Sequence, residues 1–234
     1  MYYQKIGNGT PVVFLHGWGC DGNIFMPIAS KLQNFSCFLP DFNGFGKSPK
    51  PPKKGWSVEE YAEALYVFFV EHNLQRASIV AHSFGCRVAI VFAAKFPSLV
   101  EKMLLFAPAG IRNFSFSRWF KVKMYKISRI FHPKNQSLQT KFGSADYLAC
   151  DEQMRTTFVK VVNQDLSSFA KKVRCPTLIV NGKFDASTPL SHAERLQKLL
   201  PHGALVAIEG GHFDFFANPT AFAQTISFFL EAKS

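Results

Sequence analysis

Ser78-Ile79-Val80-Ala81-His82-Ser83-Phe84-Gly85 is the stretch on which the fold turns. Its short apolar run reads as a strand. Phe84–Phe96 reads as a helix that stops before Pro97. Ser83 then lies on a tight strand-to-helix turn, which strains the serine backbone and demands small residues two positions to either side; Ala81 and Gly85 meet that demand. The helix beginning at Phe84 aims free N–H groups and its positive dipole end at the serine hydroxyl.

The same alternation extends outward in both directions. Pro11–Leu15, Cys37–Pro40, Lys102–Phe106, Thr177–Val180 and Ala204–Ile208 read as further strands. Most are continuous apolar runs, as expected for strands covered on both faces of a parallel sheet. Helices are expected over Val58–Glu71, with Ser57 and Glu60 at capping-box spacing, over Pro189–Leu200 after Thr188, and over Pro219–Leu230 with Asn218 as cap. This pattern predicts an α/β fold built on a doubly wound, mostly parallel sheet, with its ligand site at the carboxyl ends of the strands.

Composition sets the bounds. The chain has 234 residues, 47% hydrophobic and 18% charged, enough for one sizeable core and too apolar for intrinsic disorder. The longest unbroken apolar run, Val88–Ala94, is too short to cross a membrane, and the first residues carry no secretory pattern. The five cysteines, Cys20, Cys37, Cys86, Cys150 and Cys175, form no Cys-x-x-Cys pair. No disulfide framework or zinc site is expected, and a reducing cytoplasm fits best. The net charge of +11 is uneven: residues 109–174 hold 13 basic and 4 acidic residues, the remainder 14 and 12. In that segment Phe116, Trp119, Phe120, Met124, Ile127 and Phe131 recur at helical spacing, and Met154, Phe158 and Val161 mark a second helix. A helical, basic cap over 109–174 is therefore expected, inserted into a core made of 1–108 and 175–234.

Two more polar residues follow strands. Asp185 comes just after Thr177–Val180, and His212 just after Ala204–Ile208. Because a parallel sheet gathers its carboxyl ends at one edge, Ser83, Asp185 and His212 can converge as nucleophile, orienting carboxylate and general base. His16-Gly17-Trp18-Gly19 follows the strand ending at Leu15 and reaches that edge as well. Its glycines let the Trp18 N–H turn toward Ser83, so the N–H groups of Trp18 and Phe84 are the candidate oxyanion hole. His16 and His82 are read as structural, Asp41 with Gly44 and Gly46 as shaping a loop, and Asp214 as a rival to Asp185.

With these motifs and Asp41-Phe42-Asn43-Gly44-Phe45-Gly46-Lys47-Ser48, the chain resembles α/β-hydrolase-fold serine hydrolases essentially end to end. Within them it is similar to the small carboxylesterases near the pimeloyl-carrier-protein methyl ester esterases. The resemblance implies catalysis by Ser83, His212 and Asp185, no metal or organic cofactor, and a helical cap after the sixth strand. The chain departs from that family in carrying Ala81 where Gly is usual, and its short N-terminus leaves little room for the first two strands of the full fold.

The expected activity is hydrolysis of small to medium acyl esters through an acyl-enzyme on Ser83. The same triad also fits thioester cleavage, carbon–carbon bond hydrolysis and acyl transfer, and a non-catalytic ligand-binding or receptor protein could keep the pocket. Serine in place of aspartate argues against dehalogenase or epoxide hydrolase chemistry. Three roles stand open for the basic cap: a solvated cover for an apolar pocket, a dock for an acidic partner such as an acyl carrier protein, or a face for anionic membrane surfaces. No nucleic-acid motif accompanies the charge.

Overall fold

The computed structural model describes residues 1–111 and 145–232. Seven strands form one sheet: β1 (Tyr3–Ile6), β2 (Thr10–Leu15), β3 (Phe35–Pro40), β4 (Ala77–His82), β5 (Val100–Phe106), β6 (Thr177–Gly182) and β7 (Gly203–Ile208). Their spatial order is β1-β3-β2-β4-β5-β6-β7. All neighbours are parallel except β1, which runs antiparallel to β3.

That first strand corrects the sequence expectation. Tyr3–Ile6 supplies an antiparallel edge where little room for early strands was expected. It is short and half-exposed, so it lacks the continuous apolar run that reveals the buried strands. The six strands read from the sequence are all present, each starting or ending within two residues of its expected bounds.

Helices cover both faces. On one side pack α2 (Val58–Glu71) and α3 (Phe84–Lys95), with Leu65, Phe68, Phe69, Ile90 and Phe92 buried against Val13, Ile79 and Leu105. On the other lie α1 (Met26–Ala29) and α8 (Pro219–Glu231), where Phe25, Ile28, Phe215 and Ile226 meet Phe14, Val80 and Phe106. Adjacent residues of one strand thus enter different layers, Ile79 and Val80 for example, and burial on both faces explains the apolar continuity. The Ser57–Glu60 capping box is formed in full at the start of α2.

The helical insertion follows β5, the fifth strand of this chain, where the resemblance implied the sixth. Its described part comprises α4 (Ala145–Ala149), α5 (Glu152–Asn163) and α6 (Ser167–Ala170); α7 (Leu190–Leu199) follows β6. The expected helix around Phe116–Phe131 lies outside the described residues. Charge and hydrogen bonds tie α5 to the core: Lys50 pairs with Asp151 at 2.5 Å and Lys54 with Glu152 at 2.7 Å. Arg87 on α3 donates to the carbonyls of Val161 and Gln164 at 3.0 and 3.1 Å. Two of the segment's four acidic residues are thus paired with core lysines.

Candidate active site

Strand register aligns the site. Leu15 pairs with Ala81, His82 with Phe106, Phe106 with Val180, and Gly182 with Ile208. The segments holding Trp18, Ser83, Asp185 and His212 therefore leave one edge of the sheet.

Ser83 caps the N-terminus of α3 with φ 49° and ψ −106°, a backbone region that is costly for a residue with a Cβ. The surroundings hold it there. Its N–H donates to the Phe106 carbonyl at 3.0 Å, and its own carbonyl accepts from the Cys86 N–H at 3.1 Å. Gly85 needs its lack of side chain, since a Cβ there would stand 2.1 Å from the Leu15 carbonyl oxygen. Phe84, first in the helix, keeps its N–H among the donors that helix geometry leaves without an intrahelical acceptor.

The loop bearing Trp18 lies against this turn. A Cβ on Gly17 would sit 2.9 Å from His82 Nδ1 and 3.6 Å from Ser83 Cβ, which shows how closely the two backbones approach. His16, fully buried, fixes the loop from beneath. Its Nδ1–H donates to the Gly17 carbonyl at 2.8 Å, and its Nε2 accepts from the Phe42 N–H at 2.9 Å. Burial pushes its pKa down to about 4 against the opposing pull of the Gly17 carbonyl and of Asp41 and Asp21, so the ring is neutral. Asp41 shapes the next loop, accepting from the N–H groups of Gly22 and Lys47 at 2.8 Å each. The Trp18 ring meets Phe84 at 5.2 Å, Phe45 at 4.8 Å and Phe158 of α5 at 5.1 Å between centroids. An aromatic wall thus joins the insertion to the serine turn.

Asp185 and His212 come together across two loops. His212 Nδ1 lies 2.8 Å from Asp185 Oδ2, which fixes the tautomer that leaves Nε2 free. Asp185 Oδ1 accepts from the N–H groups of Ser187 and Thr188 at 2.8 Å each, and Oδ2 accepts from the Thr188 hydroxyl at 2.7 Å. Burial works to raise the Asp185 pKa. The bonds from His212 and from the Thr188 backbone and hydroxyl outweigh it, leaving the carboxyl below its ordinary value.

Asp214 has a different place from the one a rival to Asp185 would need. Its Oδ2 accepts from the Gly211 N–H at 2.8 Å and so braces the loop ahead of His212.

His82, the residue before the serine, ties the two halves. Its Nε2–H donates to the His212 carbonyl at 3.1 Å, and its ring lies 4.8 Å from that of His212. Burial, helped by the neighbouring His212, lowers its pKa to about 3. Sequence reasoning placed His82 beside the turn and missed this bridge. It also took Thr188 only as the residue ahead of a helix. The His82 bridge carries no local signal because its partner is 130 positions away; Asp185 is only three residues from Thr188, but the Thr188 contact with His212 spans 24. Among the described residues no group of three His, Cys, Asp or Glu side chains could hold a metal ion.

The fold is that of the α/β hydrolases, and comparison with known proteins agrees. The pattern of the family described as "alpha/beta hydrolase fold" matches residues 10–146, and that of "TAP-like protein" matches 140–234. This chain belongs to the α/β-hydrolase fold family. It is 26% identical to an uncharacterized protein of Mycobacterium tuberculosis, over 98% of this chain and 77% of the relative. It is 22% identical to the pimeloyl-[acyl-carrier protein] methyl ester esterase of Chromobacterium violaceum, over 100% of this chain and 99% of that protein. Among solved structures, an esterase from Exiguobacterium antarcticum superposes with a TM-score of 0.78 at 20% identity, covering 99% and 95% of the two chains. No described helix is long and apolar enough to span a membrane.

Proposed function

We propose that this chain is a serine esterase that cleaves small to medium acyl esters through an acyl-enzyme on Ser83. The observation that carries the reading is the 2.8 Å contact between His212 and Asp185, formed at the strand edge that also holds a strained Ser83 at a helix N-terminus. In this reading His212 Nε2 takes the hydroxyl proton as Ser83 Oγ attacks the ester carbonyl. Asp185 holds the ring and stabilises the imidazolium, while the N–H groups of Trp18 and Phe84 receive the oxyanion. His212 then returns the proton to the leaving alcohol, and water repeats the sequence to release the acid. No metal or organic cofactor enters these steps. The wall of Trp18, Phe45 and Phe158 favours apolar acyl groups.

The test is turnover of p-nitrophenyl esters of graded acyl length together with labelling by a fluorophosphonate probe. Wild type should turn over and label at Ser83. Ser83→Ala should lose at least about 10⁴-fold in kcat and all labelling while its circular dichroism is unchanged. Ligand-induced stabilisation with neither turnover nor labelling would favour a receptor instead.

Charge supports an extension of this reading. The insertion segment holds 13 basic against 4 acidic residues, and the Chromobacterium violaceum relative acts on a carrier-protein ester. Docking of an acidic carrier would make kcat/KM for carrier-linked esters fall with salt while free esters respond little. Equal salt responses would leave the cap as a cover for the pocket.

A further inference from the structure

Thr188 is bonded at every polar atom it has. Its N–H donates to Asp185 Oδ1 at 2.8 Å, and its carbonyl accepts from Asn181 Nδ2 at 3.1 Å. Its buried hydroxyl oxygen stands 2.7 Å from Asp185 Oδ2, 3.2 Å from the Ala107 carbonyl oxygen and 3.3 Å from His212 Nδ1. A hydroxyl has one hydrogen to give. The ionised carboxylate at 2.7 Å is the stronger acceptor than the neutral carbonyl at 3.2 Å, so the proton goes to Asp185. The oxygen's lone pairs then face His212 Nδ1–H and share a hydrogen whose main acceptor is Asp185 at 2.8 Å.

We propose that Thr188 is a positioning residue of this site, whose hydroxyl spreads the negative charge of Asp185 and so sets how readily His212 holds a proton. The proposal rests on the esterase reading above and adds to it a fourth member. By donating to Oδ2, Thr188 makes the carboxylate a weaker partner for the imidazolium. Loss of the hydroxyl would therefore favour the imidazolium over the neutral base that accepts the serine proton. Ala107, with φ 46°, directly follows β5, and its carbonyl stands within reach of the same hydroxyl.

The described residues around His212 include three further side chains. His82 stands from the end of β4 with a depressed pKa that keeps it neutral, Phe213 meets the ring edge-on at 5.0 Å, and Asp214 acts only through the Gly211 N–H.

The experiment is the pH dependence of kcat/KM for a p-nitrophenyl ester with wild type, Thr188→Val, Thr188→Ala and Thr188→Ser. Removing the hydroxyl should raise the midpoint of the acid limb by about half a unit to one unit, alike in Val and Ala. Serine should restore the wild-type profile. In proton NMR the His212 Nδ1 resonance should move downfield in Val and Ala as its bond to Asp185 strengthens, and return in Ser. An unshifted profile in both Val and Ala, a shift in only one of them, or a shift that Ser shares would overturn the proposal. Loss of folding in all three variants would assign Thr188 to packing and overturn it too. Fluorophosphonate labelling of wild type separates the two claims. An unlabelled wild type defeats the triad itself, whereas a labelled wild type with unmoved profiles defeats only the role of Thr188.

Discussion

The two halves of the site are built by opposite means. The floor, from His16 to Trp18 and from His82 to Gly85, is fixed by packing. His16 and His82 are fully buried and neutral, Gly85 lies on the β2 backbone, and Ser83 is held in a strained conformation by main-chain bonds on both sides. The rim, carrying Asp185 and His212, is fixed by hydrogen bonds within and between loops, four of them on the Asp185 carboxylate. Gly211 is braced by Asp214, the His212 carbonyl by His82, and the imidazole by Asp185. Phe184 and Phe213, the neighbours of Asp185 and His212, are exposed. Strain persists only where the surroundings over-determine it, whereas a base that must pass protons works best on bonds that can be tuned. The floor stores conformational energy, and the rim would supply the acid–base chemistry of the proposed reaction.

The largest expected effect breaks the floor by protonation. His16 and His82 titrate at about 4 and about 3 in the folded chain and near 6.5 when unfolded. Between those limits the unfolded chain binds more protons, so stability is fully present above about pH 6.5 and is lost as pH falls toward the folded values. Each ring contributes on the order of 3 kcal/mol. Urea unfolding followed from pH 7 to pH 4.5 should show a steep fall in midpoint, and a flat profile would mean these rings are not held neutral.

Next in size is Gly85→Ala. Its Cβ would meet the Leu15 carbonyl oxygen at 2.1 Å, a backbone atom that cannot swing aside. A loss of about 3 kcal/mol in urea unfolding is expected, with loss of turnover because the serine turn must move. A wild-type-like variant would mean the floor is not tightly packed.

The smallest effect has the opposite sign. Ser83→Gly removes both the candidate nucleophile and the penalty of φ 49°. Activity should vanish while stability rises by about 1 kcal/mol, read as a higher urea midpoint. A less stable Ser83→Gly would show that the turn stores no strain.

How much of this was legible depended on whether the signal was local. The buried strands announced themselves as apolar runs, and the cap of α2 was visible in Ser57 and Glu60 at the right spacing. Ala81, Ser83 and Gly85 marked the tight turn, and the order of Ser83, Asp185 and His212 followed from strand ends alone. Tyr3–Ile6 was missed because a half-exposed edge strand has no apolar run to display. The sequence reading takes Asp185 over Asp214 as the orienting carboxylate, although both are carboxylates on loops after strands. Their roles differ only in which partner each meets: a backbone N–H in one case, an imidazole in the other.

The sequence by itself determined the parallel sheet, the edge on which chemistry gathers and the residue types available there, because periodicity and turn composition are properties of neighbours along the chain. Tertiary structure alone decided that burial keeps His16 and His82 neutral, that His82 reaches the His212 carbonyl, and that the Thr188 hydroxyl joins Asp185 and His212. Those facts depend on burial and on hydrogen bonds between segments up to 130 positions apart, and no local pattern encodes either.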